Sequence, residues 1–495
     1  MILPSIIYTL FLLSIVGIFW SLTSLNLRLW LLLLASLIFY ASLQVQFLPL
    51  MVVLAVVNYY LGKNLTAPLD WRIPNEYWQF AEKNWNRRRT LLLWLGIAIN
   101  VLLLLGFKYA EGVLRVLGWT GAAADGTNET LFRILMPLGI SFFCFECIAY
   151  LVDVYRGSPP AASFVDFASY KFFFPKLISG PITRYHAFSE QFEQQSSPGL
   201  ATVIEGGWLI ASGAVKKLLI ADHIAILVNL SFENLERAGS ADIWLAIFAY
   251  GLQLYLDFNA YVDIARGSAL LLGIVLPQNF DFPYFTTSIA DFWRRWHMTL
   301  GAWLRNYLYF PLGGSRQGLS RTCWNLIIVM LVAGVWHGNN WGFIIWGGIH
   351  GLALAAHRLT LSAAKKRKPL MLFWQSIPGI VTGWLLTQSV VFFSWLFFRL
   401  PDPKQYMLAL QKLWGVPSDA QFAQKVYLES LGFTYGELSL MLGGVVALMG
   451  VAYIFNRGLK IELSWPVKLL LVPLFCFLAW LLAPAETLPY IYFDF

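Results

Sequence analysis

The sequence predicts an all-α polytopic protein that crosses a lipid bilayer several times. Apolar residues make up 58% of the 495 positions and charged residues only 13%, whereas soluble domains contain roughly 25% charged residues. A soluble protein of this length needs more charge to cover its surface. The Lys and Arg residues behind the net charge of +8 fall in short clusters between apolar runs, as in cytosolic loops, and do not form the single basic surface of a nucleic-acid-binding protein.

The first third of the chain contains five apolar runs that are each long enough, or nearly so, to cross about 30 Å of hydrocarbon as a helix. They lie near residues 5–21, 29–44, 46–62, 91–107 and 131–151. The first run lacks a basic leader and a small-residue cleavage motif, so we interpret it as a retained span. Loop 63–90 contains three consecutive arginines, which predicts a cytosolic position, and loop 118–130 should then lie outside.

Residues 156–235 interrupt this pattern, because Pro, Gly, Lys and His break up short apolar stretches. Irregular backbone is tolerated at membrane depth only where protein or a water-filled cavity surrounds it, so short re-entrant and interfacial helices are expected here. The basic cluster 365–368 marks a second cytosolic loop. Further apolar runs lie near residues 242–257, 259–276, 322–336, 340–357, 377–398, 438–455 and 466–483. All runs together predict about 11–12 transmembrane helices.

One amphipathic helix at the cytosolic interface is predicted for residues 288–310. Its apolar face contains residues spaced three or four positions apart, namely Trp293, Trp296, His297, Leu300 and Leu304. Arg294 and Arg295 would lie on another face, where anionic headgroups or a phosphorylated ligand could pair with them. A histidine on an apolar face is commonly a hydrogen-bonded core residue, so both interpretations of His297 stay open at this point.

The segment PLGGSRQG, residues 311–318, predicts a tight glycine-rich turn. Backbone amides of such turns can bind phosphate, and Arg316 places a guanidinium beside them. A plain cytosolic loop is the alternative, and the pattern alone does not choose between the two.

Two histidines, His337 and His350, are embedded in the apolar run 329–357. Ionisable residues at membrane depth are costly, which makes each one a functional hypothesis. A neutral imidazole is tolerable there and can accept a proton as a general base. Nearby glycines would allow close approach of a substrate or of another helix. The structural alternative is a tightly packed helix pair with hydrogen-bonded histidines.

Several other kinds of site are disfavoured. The sequence contains no G-x-S-x-G, H-E-x-x-H or G-x-x-x-x-G-K-[ST] motif, so a histidine-centred site without a serine nucleophile remains. Cys144 and Cys147 lie in an apolar run without a second cysteine pair, which favours buried free thiols over a metal site. Asp257 and Asp263 are expected to be buried carboxylates that lock helices together through Tyr or Arg partners.

At these residues the chain resembles the membrane-bound O-acyltransferase (MBOAT) superfamily, and within it the branch of the alginate O-acetylation membrane protein. The resemblance covers roughly residues 130–400 and the last few residues. It rests on KFFFPKLISGPITRY, QLYLDFNAYVDIARGSALLLG, NFDFPYFTTSIADFWRRWHMTLGAWLRNYLYFPLGGSRQG, WHGNNWGFIIWGGIHG and YIYFDF, in the order of the family. The ending YFDF departs from the more usual YFQF and places a carboxylate at Asp494.

The resemblance implies a ring of tilted helices around a central tunnel, with His337 as the catalytic residue and His297 as a second residue tied to activity. It divides the chain into N-terminal spans (1–130), the MBOAT catalytic core (131–400), and a periplasmic loop with C-terminal spans (401–495). Acetyl-CoA would be the acyl donor. Guanidinium groups match phosphate oxygens, so the candidates for binding its phosphates are Arg294, Arg295, Arg305 and Arg316, with Lys176 and Arg184 as weaker ones.

The resemblance therefore predicts a multi-pass O-acyltransferase of the bacterial inner (cytoplasmic) membrane. It would move an acetyl group from cytosolic acetyl-CoA across the bilayer for O-acetylation of an exopolysaccharide, together with an extracytoplasmic polysaccharide acetyltransferase. Membrane lipids are the other expected contacts, and neither a permanently bound cofactor, a metal nor nucleic acid is expected. The alternatives are D-alanyl transfer to teichoic acid from a carrier protein, a lipid or protein acyltransferase, and a transporter or channel.

Overall fold

The computed structural model describes residues 5–66, 75–116, 136–193, 196–484 and 488–493, which are helical or irregular and contain no β-strand. The predicted outside loop 118–130 and the carboxylate Asp494 lie outside the described residues. So do residues 67–74 of the predicted cytosolic loop.

The helices are numbered in chain order. The N-terminal part forms α1 (Ile6–Ser21), α2 (Leu25–Gln44), α3 (Leu48–Leu65), α4 (Asn75–Val116) and α5 (Ile140–Tyr155). The next part forms α6 (Phe164–Phe172), α7 (Tyr185–Glu193), α8 (Leu200–Ala214), a π-helical turn (Val215–Ala221), α9 (Asp222–Glu233) and α10 (Ser240–Leu271).

The segment with the predicted site follows. It forms α11 (Ile289–Arg295), α12 (Met298–Leu304), a π-helical turn (Arg305–Tyr309), α13 (Gly318–His337), α14 (Trp341–Lys366), α15 (Lys368–Gln375) and α16 (Ile377–Arg399). The C-terminal part forms α17 (Pro403–Lys412), α18 (Ala420–Phe422), a π-helical segment (Ala423–Leu431), α19 (Tyr435–Tyr453), a second π-helical turn (Ile454–Gly458) and α20 (Trp465–Leu481).

Five helical segments of the described chain are long and apolar enough to cross a membrane by length and composition. They are Leu25–Leu65, Tyr77–Tyr109, Gly318–His337, Ile377–Arg399 and Tyr435–Gly458, while α1 and α20 are shorter apolar helices. The predicted all-α polytopic class is thereby confirmed. The higher predicted span count, the ring with a central tunnel, the orientation and the three-part division of the chain stay predictions.

A predicted boundary between two spans is wrong. The runs 242–257 and 259–276 were expected to be separate spans, but α10 continues from Ser240 to Leu271. The residues at the expected break include neither Pro nor Gly, so nothing local ends the helix. Asp257, which lies at the expected break, is buried and paired with Lys217 at 2.7 Å.

The chain packs as two compact units. The first comprises Met1–Gly207, Ile264–Pro277 and Tyr492–Phe495, and the second comprises Trp208–Asp263 and Gln278–Ile491. The predicted site residues on α11 to α14 all belong to the second unit, whereas Lys176 and Arg184 belong to the first.

Residues 173–183 of the first unit are irregular and buried. Their polar groups are bonded within that unit: the amide of Phe174 donates to Ser36 Oγ (3.1 Å) and the Tyr170 hydroxyl donates to the carbonyl of Thr183 (2.7 Å). Residues 164–193 thus form short helices joined by irregular backbone that protein surrounds, as predicted for this part. Residues 200–233 instead form one continuous helical stretch through the π-helical turn, and the re-entrant and interfacial placement stays a prediction.

Helices α13 and α14 form a close-packed hairpin. A Cβ atom added to Gly334 would lie 2.4 Å from the carbonyl oxygen of Phe343, and one added to Gly347 would lie 2.4 Å from that of Met330. Any larger residue would push the two helices apart. These glycines therefore serve helix packing, as the structural alternative proposed.

Candidate active site

The predicted single helix over residues 288–310 is in fact two short helices, and that prediction is wrong. Helix α11 ends at Arg295, α12 begins at Met298, and His297 between them has a left-handed backbone conformation with φ +43°. A neighbouring segment causes the break. The amide of Asp281 donates to the carbonyl of Arg295 (3.0 Å), and the amide of Met298 donates to the carbonyl of Asn279 (2.9 Å).

The predicted apolar set is nevertheless buried as expected. Trp293 is half-buried, and the fully buried members are Trp296, His297, Leu300 and Leu304. Two short helices separated by one extended residue, Trp296, and one left-handed residue, His297, still direct these side chains inward. The periodicity therefore predicted burial correctly and the continuous helix wrongly.

His297 is 1% exposed and packs among aromatic rings. Its ring centroid lies 4.9 Å from that of Phe258 on α10 and 6.4 Å from that of Trp336 on α13, both in edge-to-face geometry. Burial lowers the pKa of His297 to about 3, because a charged imidazolium is poorly solvated in apolar surroundings. The imidazole is therefore neutral near neutral pH.

His337 is the last residue of α13 and is 3% exposed. Its ring centroid lies 4.7 Å from that of Trp336, 5.1 Å from that of Trp346 and 4.9 Å from that of Phe398. The C-terminal end of a helix favours positive charge by about 0.3–1 kcal/mol. Its position therefore favours an imidazolium that forms transiently in a reaction.

His350 has a different environment. Trp293 Nε1 donates to His350 Nδ1 (3.2 Å), and His350 Nε2 lies 2.9 Å from Ser394 Oγ, which itself donates to the carbonyl of Val391 (2.7 Å). Because Nδ1 accepts, Nε2 carries the proton and donates to Ser394. Both ring nitrogens are thus used in helix-to-helix hydrogen bonds, as the structural alternative for His350 proposed.

The turn after His337 is exposed. Asn339, Asn340 and Trp341 are all exposed, and the amide of Gly342 donates to the carbonyl of Pro401 (3.2 Å). His337 is therefore a buried side chain that immediately precedes a solvent- or headgroup-accessible turn.

The predicted phosphate-binding arginines differ in availability. Arg294, Arg305 and Arg316 are exposed, whereas Arg295 is paired with Asp291 at 2.9 Å within α11. The guanidinium groups of Arg294 and Arg358 both interact electrostatically with the imidazole of His357, so the two arginines lie near the same residue. Sequence reasoning missed Arg358, although it follows the apolar end of the run that contains His350.

The glycine-rich turn is internally bonded. The amides of Gly313, Gly314 and Arg316 donate to carbonyls of Phe310, Tyr309 and Gly313, and Asn325 Nδ2 donates to the carbonyls of Leu312 and Gly314. These three amides are not available to a phosphate, so the structure supports the plain-turn alternative. The Arg316 side chain is still exposed.

The weaker candidates lie in the first unit. Lys176 is 3% exposed, with its ammonium 2.6 Å from Glu146 Oε1, and Glu146 Oε2 binds Lys171 at 2.9 Å. This buried pairing leaves Lys176 no exposed face for a CoA phosphate, which contradicts that assignment. Arg184 is half-exposed and lies 3.7 Å from Asp153.

The two aspartates of α10 are structural, and both are paired with lysines. Asp257 binds Lys217 and accepts from the amide of Ile491 (2.9 Å), and Asp263 binds Lys216. The sequence prediction did not include these lysines of the π-helical turn, which the fold brings beside α10.

The cysteine prediction agrees with the structure. Cys144 and Cys147 are buried free thiols.

Comparisons with known proteins place this site in a family. The model of the membrane-bound O-acyltransferase (MBOAT) family matches residues 93–397, which include α10 to α14 and both candidate histidines. The chain belongs to this family. The resemblance seen in the sequence motifs is thereby confirmed.

Individual relatives extend the comparison. The chain is 38% identical over 370 residues to the probable alginate O-acetylase AlgI of Pseudomonas syringae pv. tomato, a match that covers 74% of this chain and 66% of that protein. It is 35% identical over 418 residues to the peptidoglycan O-acetyltransferase of Helicobacter pylori, covering 79% and 74%.

A teichoic acid D-alanyltransferase of Streptococcus thermophilus is 28% identical over 313 residues, covering 59% of this MBOAT chain and 74% of that protein. The D-alanyltransferase is thus more distant from this chain than the O-acetylating proteins are. The match to the Pseudomonas syringae protein spans about two thirds of the length of that relative.

Proposed function

We propose that this MBOAT protein transfers an acetyl group from cytosolic acetyl-CoA to a hydroxyl acceptor, for the O-acetylation of an exopolysaccharide such as alginate. The observation that carries the proposal is the position of His337. It is a buried histidine at the C-terminal end of a helix, it is surrounded by aromatic rings, and the next residues form an exposed turn.

In the proposed reaction, His337 is the general base. Its neutral imidazole takes the proton of the acceptor hydroxyl while the hydroxyl oxygen bonds to the thioester carbonyl carbon. The carbon–sulfur bond then breaks, and the imidazolium returns the proton to the departing CoA thiolate. Proton transfer by a positioned base contributes typically about 10²–10⁴-fold in rate, and the helix end stabilises the imidazolium.

His297 has a supporting role in the proposed reaction. Because burial keeps it neutral, one of its ring nitrogens carries a proton and can donate to a developing oxyanion or to the donor thioester. His297 and His337 both pack against Trp336, which supports their acting on one bound substrate.

Exposed guanidinium groups would bind the phosphates of acetyl-CoA. Arg294, Arg305 and Arg316 carry accessible charges, and Arg358 adds a fourth beside His357. Arg295 is paired with Asp291. It can bind a phosphate only if its guanidinium leaves that carboxylate or contacts the carboxylate and the phosphate together. Phosphate recognition by several guanidinium forks is a strong charge-assisted interaction.

We further propose that the acetyl group leaves on the extracytoplasmic side of the inner membrane, where a separate polysaccharide acetyltransferase completes the transfer to sugar. The names of the O-acetylating relatives support a polysaccharide or peptidoglycan acceptor. The lower identity to the D-alanyltransferase, 28%, favours acetyl over D-alanyl transfer.

An apolar groove of about 770 Å³ on α13 and α14 bears on the long-chain alternative. Its lining includes Ile327, Leu352 and Leu359. Ile327 precedes His337 by about 15 Å along the axis of α13, at 1.5 Å per residue. A long acyl chain in this groove would lie away from His337, so the groove does not favour a long-chain donor at that histidine.

The test is single-turnover acetyl transfer in vesicles that contain the purified protein. With ¹⁴C-acetyl-CoA supplied on one side, the proposal expects CoA release to require a hydroxyl acceptor or the partner acetyltransferase on the other side. D-alanyl carrier protein should not replace acetyl-CoA. Failure of acetyl-CoA as donor, with transfer from the carrier protein instead, would replace the proposal by the D-alanyl alternative.

A further inference from the structure

Asn279 accepts three hydrogen bonds from the two residues that directly follow His297. Its side-chain Oδ1 accepts two hydrogen bonds from Thr299, one from the amide (3.0 Å) and one from the hydroxyl (2.8 Å). The backbone carbonyl of Asn279 accepts a hydrogen bond from the amide of Met298 (2.9 Å). Asn279 is completely buried, so these bonds form away from bulk water and contribute more than they would at the surface.

A second hydrogen bond lies on the N-terminal side of Trp296 and His297. The amide of Asp281 donates to the carbonyl of Arg295 (3.0 Å). The hydrogen bonds of Asn279 and Asp281 thus bracket Trp296 and His297 on both sides.

The bracketed residue has an uncommon backbone conformation. His297 has φ +43° and ψ 54°, a left-handed geometry that residues with a Cβ atom adopt rarely and at a cost. Such a conformation persists where the surrounding structure over-determines it, and it is found most often at functional sites. The Asn279 contacts provide that constraint.

The conformation also decides where the imidazole lies. A continuous helix through residue 297 would give this side chain a different direction from the one that places its ring 4.9 Å from Phe258 and 6.4 Å from Trp336. The turn held by Asn279 therefore determines whether His297 reaches the indole that also contacts His337.

We propose that Asn279 is a positioning residue that holds His297 in its left-handed conformation, and thereby in the reaction site, through its bonds to Met298 and Thr299. The catalytic part of this inference rests on the proposed acyl transfer. The structural part does not, and the two are tested separately.

The structural test is hydrogen–deuterium exchange of the full-length protein in nanodiscs, comparing wild type with Asn279→Leu and Asn279→Ala. Loss of the Oδ1 acceptor frees the Thr299 amide, whose exchange should rise by about tenfold or more. The Met298 amide donates to the backbone carbonyl of residue 279, which both variants keep, so its exchange should rise only because the turn loosens. Peptides of the α13–α14 hairpin should be unchanged. Ser288→Ala is the matched control, because it removes the side-chain bond to the amide of Asp291 at the start of α11 without touching His297. Unchanged exchange of the Met298 amide would mean that the turn is held without the Asn279 side chain, and would overturn the proposal.

The catalytic test is a double-mutant cycle with His297. Asn279→Leu should lower kcat for acetyl transfer by about tenfold or more in the wild-type background, with a smaller change in KM, because the effect is on orientation and not on donor affinity. Thr299→Val should give a smaller loss, and Thr299→Ser, which keeps both donors, should restore most of it. In the His297→Ala background, Asn279→Leu should change kcat by less than about twofold.

The outcomes separate the possibilities. An equal loss of kcat from Asn279→Leu in both backgrounds would mean a general folding role, and a wild-type kcat in Asn279→Leu would mean that the turn does not matter for the reaction. Either result overturns the positioning role. If wild-type protein transfers no acetyl group at all, the proposed function fails, and the exchange data alone still decide whether Asn279 holds the turn.

Discussion

The imidazole of His297 and the indole of Trp336 are in edge-to-face contact, with ring centroids 6.4 Å apart. Trp336 is also the residue directly before His337 and contacts its ring. The indole thus connects a histidine on the α11–α12 turn with the histidine that ends α13. A substitution at Trp336 would therefore alter the packing of both imidazoles.

The first prediction concerns His337 and His350. His337→Ala should insert and fold normally, bind acetyl-CoA with near-normal affinity, and lose acetyl transfer by about 10²-fold or more, because the base is gone. His350→Ala should lower stability instead, because it leaves Trp293 Nε1–H without its acceptor. Acetyl transfer per mole of correctly inserted protein measures both effects. Full activity of His337→Ala would contradict the mechanism and favour a transporter.

The second prediction concerns donor binding. Arg316→Ala should raise the KM for acetyl-CoA by about tenfold or more, because a hydrogen bond to a charged group contributes about 1.5–3 kcal/mol. Arg295→Ala should act in the same direction, whereas Asp291→Asn should not raise KM, since it releases Arg295 without removing its charge. Arg399→Ala, whose guanidinium binds Asn229, is the control. Unchanged titrations for both arginine variants would refute CoA binding by these residues.

The third prediction concerns orientation. Helices α13 and α14 run antiparallel, so the turn at Asn339 lies at the opposite end of the hairpin from Arg367. A membrane-impermeant thiol reagent applied to intact cells should label a cysteine at 339 and leave one at 367 unlabelled, since the basic cluster at 365–368 predicts the cytosol. The background should carry Ser at positions 323 and 476, because Cys323 and Cys476 are not buried. Labelling at 367 would reverse the topology.

The fourth prediction concerns acid stability. The pKa of His297 is lowered to about 3 in the folded state, whereas an unfolded histidine has a pKa of about 6.5. Between these values the unfolded chain binds a proton that the folded chain does not, so His297 costs stability as the pH falls from about 6.5 towards 3, at roughly 1.4 kcal/mol per pH unit. Detergent-induced unfolding at about pH 7 and pH 5 should show a smaller acid effect in His297→Gln than in wild type. His223→Gln, at an exposed position, is the control, and equal acid effects in all three proteins would contradict the prediction.

The fifth prediction compares two adjacent lysines. Lys217 is buried and binds Asp257 at 2.7 Å and Asp222 at 2.8 Å, so Lys217→Met would leave two buried carboxylates without their cation. Breaking a buried pair in this way costs about 3–5 kcal/mol. Lys216 has a side chain that is 30% exposed, so Lys216→Met should cost less. The unfolding midpoint and the yield of monodisperse protein measure this, and a larger loss for Lys216→Met would be inconsistent with the structure.

The sequence determined the class of this protein and the burial of its site histidines. Low charge and long apolar runs require a helical membrane protein, because only regular helices and closed barrels satisfy backbone hydrogen bonds in lipid. The i+3 and i+4 spacing of Trp293 to Leu304 predicted which side chains are buried, since burial depends mainly on local periodicity. The apolar run around His337 likewise predicted a titratable group away from water.

The tertiary structure decided how those residues are held. The helix break at His297 depends on two hydrogen bonds with a segment outside the helix. The carbonyl of Asn279 accepts from the amide of Met298, and the amide of Asp281 donates to the carbonyl of Arg295. His350 is structural because Ser394, a residue of α16, lies within hydrogen-bond distance of it. Lys176 cannot bind a CoA phosphate because its ammonium is paired with the buried carboxylate of Glu146. In each case the deciding hydrogen-bond partner is distant along the chain. Local periodicity carries information about burial, whereas the partners of buried polar groups are fixed only when distant segments pack together.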